Sequence, residues 1–278
     1  MSATTDTHAP AQTASEDEAP RRSFLAQHES TIIGTISVAA FLFFWEYAVA
    51  AKWVNALFTS SPLRIINAGV AMVKEGTIWQ DLATSGLEFG LGFGLATIVG
   101  VPLGILMGWY RRLNSVLEPF VNALYATPRI ALLPLIVIWF GIDLGSKVAI
   151  VFLSTVFPIL VNTMVGIRTV DRDFIKVARS FGASDRQLFM TVALPSTVPF
   201  LLTGLRLGLG HALIGIVVGE MYGATSGIGY MMAVAGATFQ TDRVMVGIII
   251  IAASGMIMTQ MLKMIEMRFE KWRVDSRG

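Results

Sequence analysis

The sequence predicts an all-α polytopic membrane protein with six transmembrane helices, and two observations support this prediction. Apolar residues make up 54% of the 278 residues and charged residues only 14%, whereas a soluble domain carries about 25% charged residues. Six segments are also apolar over the roughly 20 residues that a helix needs to cross a hydrocarbon core of about 30 Å. We therefore expect a lipid bilayer to cover much of the surface.

Residue composition excludes several kinds of site. The chain has no cysteine, which excludes disulfides, thiolate metal sites and cysteine nucleophiles. Its three histidines are far apart in the sequence, so we expect no metal site and no bound cofactor. The formal net charge of +2 gives no indication of nucleic acid binding.

The first part of the chain differs from the rest. Residues 1–30 are polar and contain almost no large apolar side chain. Such a segment cannot bury enough apolar surface to fold, so we expect a disordered cytoplasmic tail. The long apolar run that follows indicates a retained first span and not a cleaved signal peptide. The predicted transmembrane domain covers residues 31–272, and residues 273–278 form a second cytoplasmic tail.

The six predicted spans follow one another along the chain, and several contain proline, which neighbouring helices can accommodate in a bilayer. Glycines recur within them at four-residue spacing, and we interpret this spacing as close helix packing in lipid. The predicted spans are residues 31–51, 82–109, 119–140, 146–167, 200–222 and 244–262. The glycine series are Gly90 and Gly94; Gly100, Gly104 and Gly108; Gly204 and Gly208; Gly215 and Gly219.

The basic residues predict the orientation. With both termini in the cytoplasm, fourteen lysines and arginines fall in inner segments and five in outer loops, including Lys147. This distribution follows the positive-inside rule for multi-pass proteins of the inner membrane.

The inner loop of residues 171–195 carries the pattern of two short capped helices. Asp171 is a good N-cap, and Gly182 suits the left-handed residue that ends a helix. Ser184 and Gln187 have the spacing of a capping box, and Pro195 should end the second helix. The apolar face of the first helix, at positions i, i+3, i+4 and i+7, consists of Phe174, Val177, Ala178 and Phe181.

Two capped amphipathic helices at this position indicate a surface for a partner protein. The alternative is a pair of helices that only packs beneath the spans.

This loop resembles the signature loop of importer permeases of the ATP-binding-cassette class, which reads Glu-Ala-Ala, three residues, Gly, nine residues, Ile, one residue, Leu-Pro. The spacing here is the same, although Lys176 and Val177 replace the glutamate and the first alanine. Residues 122–230 further resemble the nitrate/sulfonate/taurine branch of this family. The matching positions are Lys176, Val177, Ala178, Gly182, Val192, Leu194 and Pro195.

The resemblance implies a type I importer permease fold with cytoplasmic coupling helices. It implies three partners: an ATP-binding cassette ATPase subunit, a periplasmic solute-binding protein and a second copy of this chain. Because the chain has no glycine-rich phosphate loop, ATP would be bound and hydrolysed by the separate ATPase, and this chain is not expected to be an enzyme. The residues expected to couple to the ATPase are Phe174, Lys176, Val177, Ala178, Phe181, Gly182, Leu194 and Pro195.

Ionisable residues within spans are costly and often line a pathway. We predict Arg129, Glu88 and Glu220 as pathway residues, with Arg129 the deepest and suited to an anionic solute. The alternative for Arg129 is an ion pair or a carbonyl contact that only holds helices together. His211 is expected to be a packed polar residue.

Other functions remain open at the level of the sequence. An ion-coupled secondary transporter would need paired carboxylates near the midplane, and the sequence shows no such pair. Among importer solutes, sulfonates, taurine and nitrate are the main expectation, and a thiamine-precursor pyrimidine is the alternative.

Overall fold

The computed structural model describes residues 24–170 and 172–269, with side chains from residue 31 onward except at positions 56, 172 and 269. Most of the two predicted tails and the predicted N-cap Asp171 therefore lie outside the described residues. The first helix starts at Phe24, before the predicted start of the first span, but its apolar window is Thr31–Ala50.

The described residues fold into helices joined by short turns. Within them, five helices are long and apolar enough to cross a membrane, or six if one bent pair counts as a single span. In chain order the helices are α1 Phe24–Ala50, α2 Ala56–Thr59, α3 Pro62–Glu75, α4 Thr77–Trp109, α5 Arg111–Ala126, α6 Leu133–Phe140, α7 Leu144–Arg168, α8 Arg172–Ser180, α9 Asp185–Leu188, α10 Leu194–Gly223, α11 Ile228–Ala237 and α12 Thr241–Phe269.

The centre of the molecule consists of α4, α7 and α10. Glycines lie at their contacts, since a Cβ on Gly104 would be 2.6 Å from the Leu160 carbonyl oxygen of α7. A Cβ on Gly204 would be 2.9 Å from the Asn162 side chain. The predicted packing role is confirmed in these series, but Gly90 and Gly94 are exceptions, because a Cβ there meets nothing within 4 Å.

The molecule has two distinct ends. At one, which we call the α8 end, α4 and α7 finish, α8 and α9 lie, and α10 begins. Trp109 at the end of α4 contacts Phe189 there, with ring centroids 5.0 Å apart. At the opposite end, the far end, α4 and α7 begin and α10 leads into α11. The sequence analysis did not predict α11, which is only ten residues long.

The third predicted span is not continuous. The chain turns by 88° between α5 and the segment Arg129–Phe140, which starts with a 3-10 turn. Pro128 disfavours the helical conformation at the preceding residue, and Thr127 is indeed extended (φ −69°, ψ 129°). The third predicted span is therefore present only as a bent pair of segments, and the break leaves Arg129 at the turn.

The second short helix does not end at Pro195 as predicted. A π-helical turn, Phe189–Ala193, connects α9 directly to α10. Pro195 lies in the first turn of α10, directly after the π turn, and does not interrupt the helical run. The fifth span is thus rigidly continuous with the inner loop, forming one helical run over Asp185–Gly223.

Candidate functional site

Helix α8 is fixed to the protein on one side and exposed on the other. Ile175 packs against a buried cluster of Ile167, Val170 and Ala193. The predicted apolar face points outward: Phe174 and Val177 are each 56% exposed, and Phe181, directly after the helix, is 87% exposed. Ala178 on the same face is half-buried.

The turn between α8 and α9 has the geometry that the sequence predicts. Gly182 is left-handed, with φ +80°. The Gly182 amide donates to the Arg179 carbonyl at 2.9 Å and the Ala183 amide to the Ala178 carbonyl at 3.0 Å, which together form a Schellman motif. Ser184 and Gln187 form the predicted capping box. The two short helices therefore hold a defined mutual orientation.

The charged residues of this loop pair locally. Lys176, at the position of the family glutamate, donates to Asp173 within α8 at 2.8 Å. Arg179 reaches Asp185 of α9 at 3.2 Å. Because the side chains of both pairs are more than half exposed, they add little to stability. They do leave the apolar face uncovered.

Leu194 and Pro195 lie apart from that exposed face. Both are half-buried in the first turn of α10. The structure thus places the predicted coupling residues in two groups: the outward residues of α8 and the base of the fifth span.

A cavity of about 320 Å³ lies beside the break between α5 and α6. Tyr125, Thr127 and Arg129 line it from the break, Ser154 from α7 and His211 from α10. Ser154 is ten residues from Leu144, the first residue of α7, or about 15 Å at 1.5 Å per residue. The cavity is therefore near the middle of the spans, where non-helical backbone is tolerated only if it is buried or lines a cavity.

Arg129 makes few contacts with the protein. Its guanidinium lies 5.4 Å from the Tyr125 ring centroid, and Nη2 donates to the Tyr125 carbonyl at 3.5 Å, the outer limit for such a bond. Its Nε is buried with no hydrogen-bond partner. Among the described residues, none forms an ion pair with Arg129. The carbonyl contact of the alternative hypothesis is present, but only to a residue four positions earlier.

His211 lies across this cavity. Its Nδ1 is 2.9 Å from the Leu207 carbonyl, and since a carbonyl only accepts, Nδ1 carries the hydrogen. Nε2 is then the ring nitrogen left for other contacts. The prediction of a packed histidine is incomplete, because the residue also lines the cavity.

Glu88 and Glu220 lie in a different place, a buried charge cluster toward the far end. Glu88 is 4%, Lys147 3% and Glu220 1% exposed. The three side chains are within electrostatic range of one another, and the two carboxyl groups are within hydrogen-bonding reach. Neither glutamate lines the Arg129 cavity, so the structure does not join the three predicted pathway residues.

Glu220 connects this cluster to the loop between α10 and α11. It accepts from the Ser85 hydroxyl at 2.5 Å and from the Gly229 amide at 2.6 Å. Ser85 in turn accepts from the Ile228 amide at 2.9 Å. Direct hydrogen bonds therefore connect four groups from α4, α10 and the start of α11.

Two sequence predictions about this region are wrong. Lys147 was assigned to an outer loop, but it lies in the first turn of α7, with Nζ donating to the carbonyls of Ile142 and Asp143. The sequence showed no paired carboxylates, yet Glu88 and Glu220 are neighbours. The sequence did contain a signal for the position of Lys147, which stands one residue inside the predicted fourth span. Glu88 and Glu220 are too far apart in the sequence for their proximity to be predicted.

Comparison with known proteins gives the family. Residues 100–271 match the family described as binding-protein-dependent transport system inner membrane component. The SsuC permease protein of Bacillus subtilis, assigned to aliphatic sulfonates transport, is 34% identical over 88% of this chain and 89% of its own length. The taurine transport system permease protein TauC of Escherichia coli is 33% identical over 89% of this chain and 91% of its own.

A third relative and one solved structure extend this comparison. The formylaminopyrimidine transport permease protein ThiX of Halalkalibacterium halodurans is 33% identical over 82% of this chain and 91% of its own. A crystal structure of an amino acid ABC transporter with histidines superposes with a TM-score of 0.54 at 20% identity, over 73% of this chain and 97% of that chain. At that identity the likeness shows the fold alone, which is the type I importer permease fold. With its family model, its curated relatives and its multi-pass helical fold in agreement, the chain belongs to the binding-protein-dependent transport system inner membrane components, the ABC importer permeases of the sulfonate and taurine type.

Proposed function

We propose that this chain is the membrane-spanning subunit of an ATP-driven importer for a small sulfonate-type anion. Two copies form the pathway, a separate ATPase drives it, and a solute-binding protein delivers the solute. The observation that carries the proposal is α8, a capped helix whose apolar face is exposed while its other side is anchored to the spans.

The exposed face of α8 suits a protein partner. Phe174, Val177 and Phe181 expose apolar surface at an end of the molecule rich in charged residues, where lipid tails do not reach. Contiguous exposed apolar surface of this kind marks an interaction site. Since α9 continues through the π turn into α10, movement of a partner bound at α8 would be transmitted to the fifth span.

The distribution of charge supports a cytoplasmic position for the α8 end. Arg111, Arg112, Arg168, Arg179 and Arg186 all lie on the helices and turns of that end. The segments of the far end carry fewer basic residues, and they are Lys52, Arg64, Lys74 and Arg243. Positive-inside topology then directs α8 to the compartment that contains ATP.

The solute class is supported by the relatives and by the charge of the cavity. The names of two relatives specify sulfonates and taurine, and a third specifies a formylaminopyrimidine. A cavity lined by the Arg129 guanidinium, which pairs with no carboxylate of the described residues, favours an anion over a neutral heterocycle. We therefore propose sulfonates ahead of the pyrimidine.

The partner assignment is tested by Phe181→Ser in cells that contain the ATPase subunit. Removing this exposed ring should reduce the ATPase that co-purifies with the permease at least about fivefold, because a buried aromatic anchor contributes more than about 1 kcal/mol. The matched control is Phe239→Ser, which alters a phenylalanine 62% exposed at the far end. Equal ATPase recovery for wild type and Phe181→Ser would contradict the docking role.

The energy source is tested by uptake of taurine into proteoliposomes with and without ATP inside. Import that requires ATP and the ATPase subunit supports the proposal. Import that continues without either and stops when a protonophore is added would instead identify an ion-coupled transporter, in which the neighbouring Glu88 and Glu220 would be the first residues to examine.

A further inference from the structure

We propose that the cavity beside the α5–α6 break is a solute-binding site for an aliphatic sulfonate, with the sulfonate group at Arg129 and the carbon chain against the aliphatic wall. The inference rests on the proposed function and adds the site and the mode of binding. It assigns to Arg129 the direct contact with the solute.

The charge of the cavity favours an anion. Arg129 supplies a guanidinium, and no carboxylate is among the described residues that line the cavity. The two buried glutamates that could have neutralised it lie outside this cavity, where Glu220 accepts from Ser85 and Gly229. A cation at membrane depth without an acidic partner is costly, and an incoming anion removes that cost.

The hydrogen-bonding capacity of Arg129 is largely unused. Nε is buried and has no partner, and the one bond from Nη2 is long, at 3.5 Å. A guanidinium presents parallel N–H groups that match two oxygens of an oxyanion. The Tyr125 ring below the guanidinium restricts its orientation without using those donors. The group is therefore positioned to bind a ligand and not to stabilise the fold.

The remainder of the lining suits a short carbon chain. Five aliphatic residues also line the cavity, and they are Ile130, Leu133, Ile150, Ile214 and Val218. The hydroxyls of Thr127 and Ser154 lie in the same lining. A mainly apolar cavity of about 320 Å³ with a few polar groups is typical of an organic ligand site. Nitrate has no carbon chain to use this wall, so an organosulfonate is the better fit.

The experiment measures uptake of radiolabelled taurine and ethanesulfonate by the complete transporter in proteoliposomes. Arg129→Gln should lower the transport kcat/KM by at least about tenfold, as expected for losing charge-assisted hydrogen bonds, while Arg129→Lys keeps part of it. The matched control is Arg206→Gln, because Arg206 pairs with Glu266 outside this cavity. It should stay within about twofold of wild type. ATPase co-purification and stimulation by the liganded binding protein should be unchanged in all three.

A direct readout separates binding from structure. Equilibrium dialysis of ethanesulfonate with the permease–ATPase complex, without binding protein, should show saturable binding for wild type and none for Arg129→Gln. Wild-type kinetics in Arg129→Gln, or a parallel loss of transport and of ATPase co-purification, would overturn the inference. If wild type imports neither sulfonate but does import a pyrimidine, the proposed solute class itself fails.

Discussion

At the scale of single residues, the buried Glu220 organises the loop between α10 and α11. Glu220 is 1% exposed and binds two donors from separate segments. The Gly227 backbone packs against the Glu220 carboxylate with φ +114°, and a Cβ on Gly227 would be 2.4 Å from that carboxylate. Only glycine fits that backbone and that space. The α10–α11 loop is therefore shaped around this one carboxylate.

Replacing Glu220 should destabilise the permease. Glu220→Leu leaves the Ser85 hydroxyl and the Gly229 amide buried without an acceptor, and each such group costs about 1–3 kcal/mol. Thermal unfolding of the detergent-solubilised protein should occur several degrees lower. Glu220→Gln should have a smaller effect, because an amide oxygen can replace one of the two acceptors.

The control for this measurement is Glu75→Leu. Glu75 pairs with Arg243 at 3.2 Å on the surface, with both side chains more than a third exposed. Such pairs contribute about 0–1 kcal/mol, so the unfolding temperature should change little. Equal melting temperatures for Glu220→Leu and wild type would show that the far-end network is not structural.

At the scale of elements, short-range signals predicted more than long-range ones could. The Gly182 turn and the Ser184–Gln187 box depend on contacts within a few residues, and both were predicted correctly. The effect of each proline on its helix was harder to predict. Pro158 lies inside the continuous helix α7, whereas Pro128 coincides with an 88° break. The outcome depends on whether neighbouring helices enclose the freed carbonyl, which local sequence does not encode.

The same reasoning applies to the candidate site. Arg129 was identified because a charge in an apolar run stands out. Its cavity was not predictable, since Ser154 and His211 reach it from helices distant in sequence. The cluster of Glu88, Lys147 and Glu220 also joins three helices. The residue types indicate that these positions are candidates for function. Only the packing of the helices shows which of these residues lie close together.

The turn that joins α8 to α9 provides a test at this scale. A Cβ on Gly182 meets nothing within 4 Å, so only its φ of +80° opposes substitution. Gly182→Val should tilt α8 away from the spans, because a left-handed β-branched residue costs upward of about 1–2 kcal/mol. We expect ATP-linked uptake to fall severalfold while basal ATPase activity of the complex remains.

Asparagine provides the matched control at this position, since it tolerates the left-handed region better than other residues with a side chain. Gly182→Asn should retain most uptake. Wild-type uptake in Gly182→Val, at equal levels in the membrane, would mean that the angle between α8 and α9 does not matter for coupling.

At the scale of the whole molecule, the two ends differ in charge and in exposed apolar surface. The α8 end combines several arginines with an exposed apolar face, and the far end combines paired surface charges with a buried charge cluster. The cavity at Arg129 lies between them, near mid-depth. In the proposed arrangement the partner surface and the solute site are separate, connected by the helical run Asp185–Gly223.

The orientation that this asymmetry requires can be measured with single cysteines, because the natural chain has none to remove. Phe181→Cys and Phe239→Cys place thiols at positions that are 87% and 62% exposed at opposite ends. A membrane-impermeant maleimide should label Phe239→Cys in intact cells or spheroplasts, and Phe181→Cys only in inverted vesicles. Adding the ATPase subunit should slow labelling of Phe181→Cys at least about fivefold and leave Phe239→Cys unaffected, since burial in an interface excludes the reagent. Labelling of Phe181→Cys from outside would place α8 beyond the reach of any ATP-driven partner.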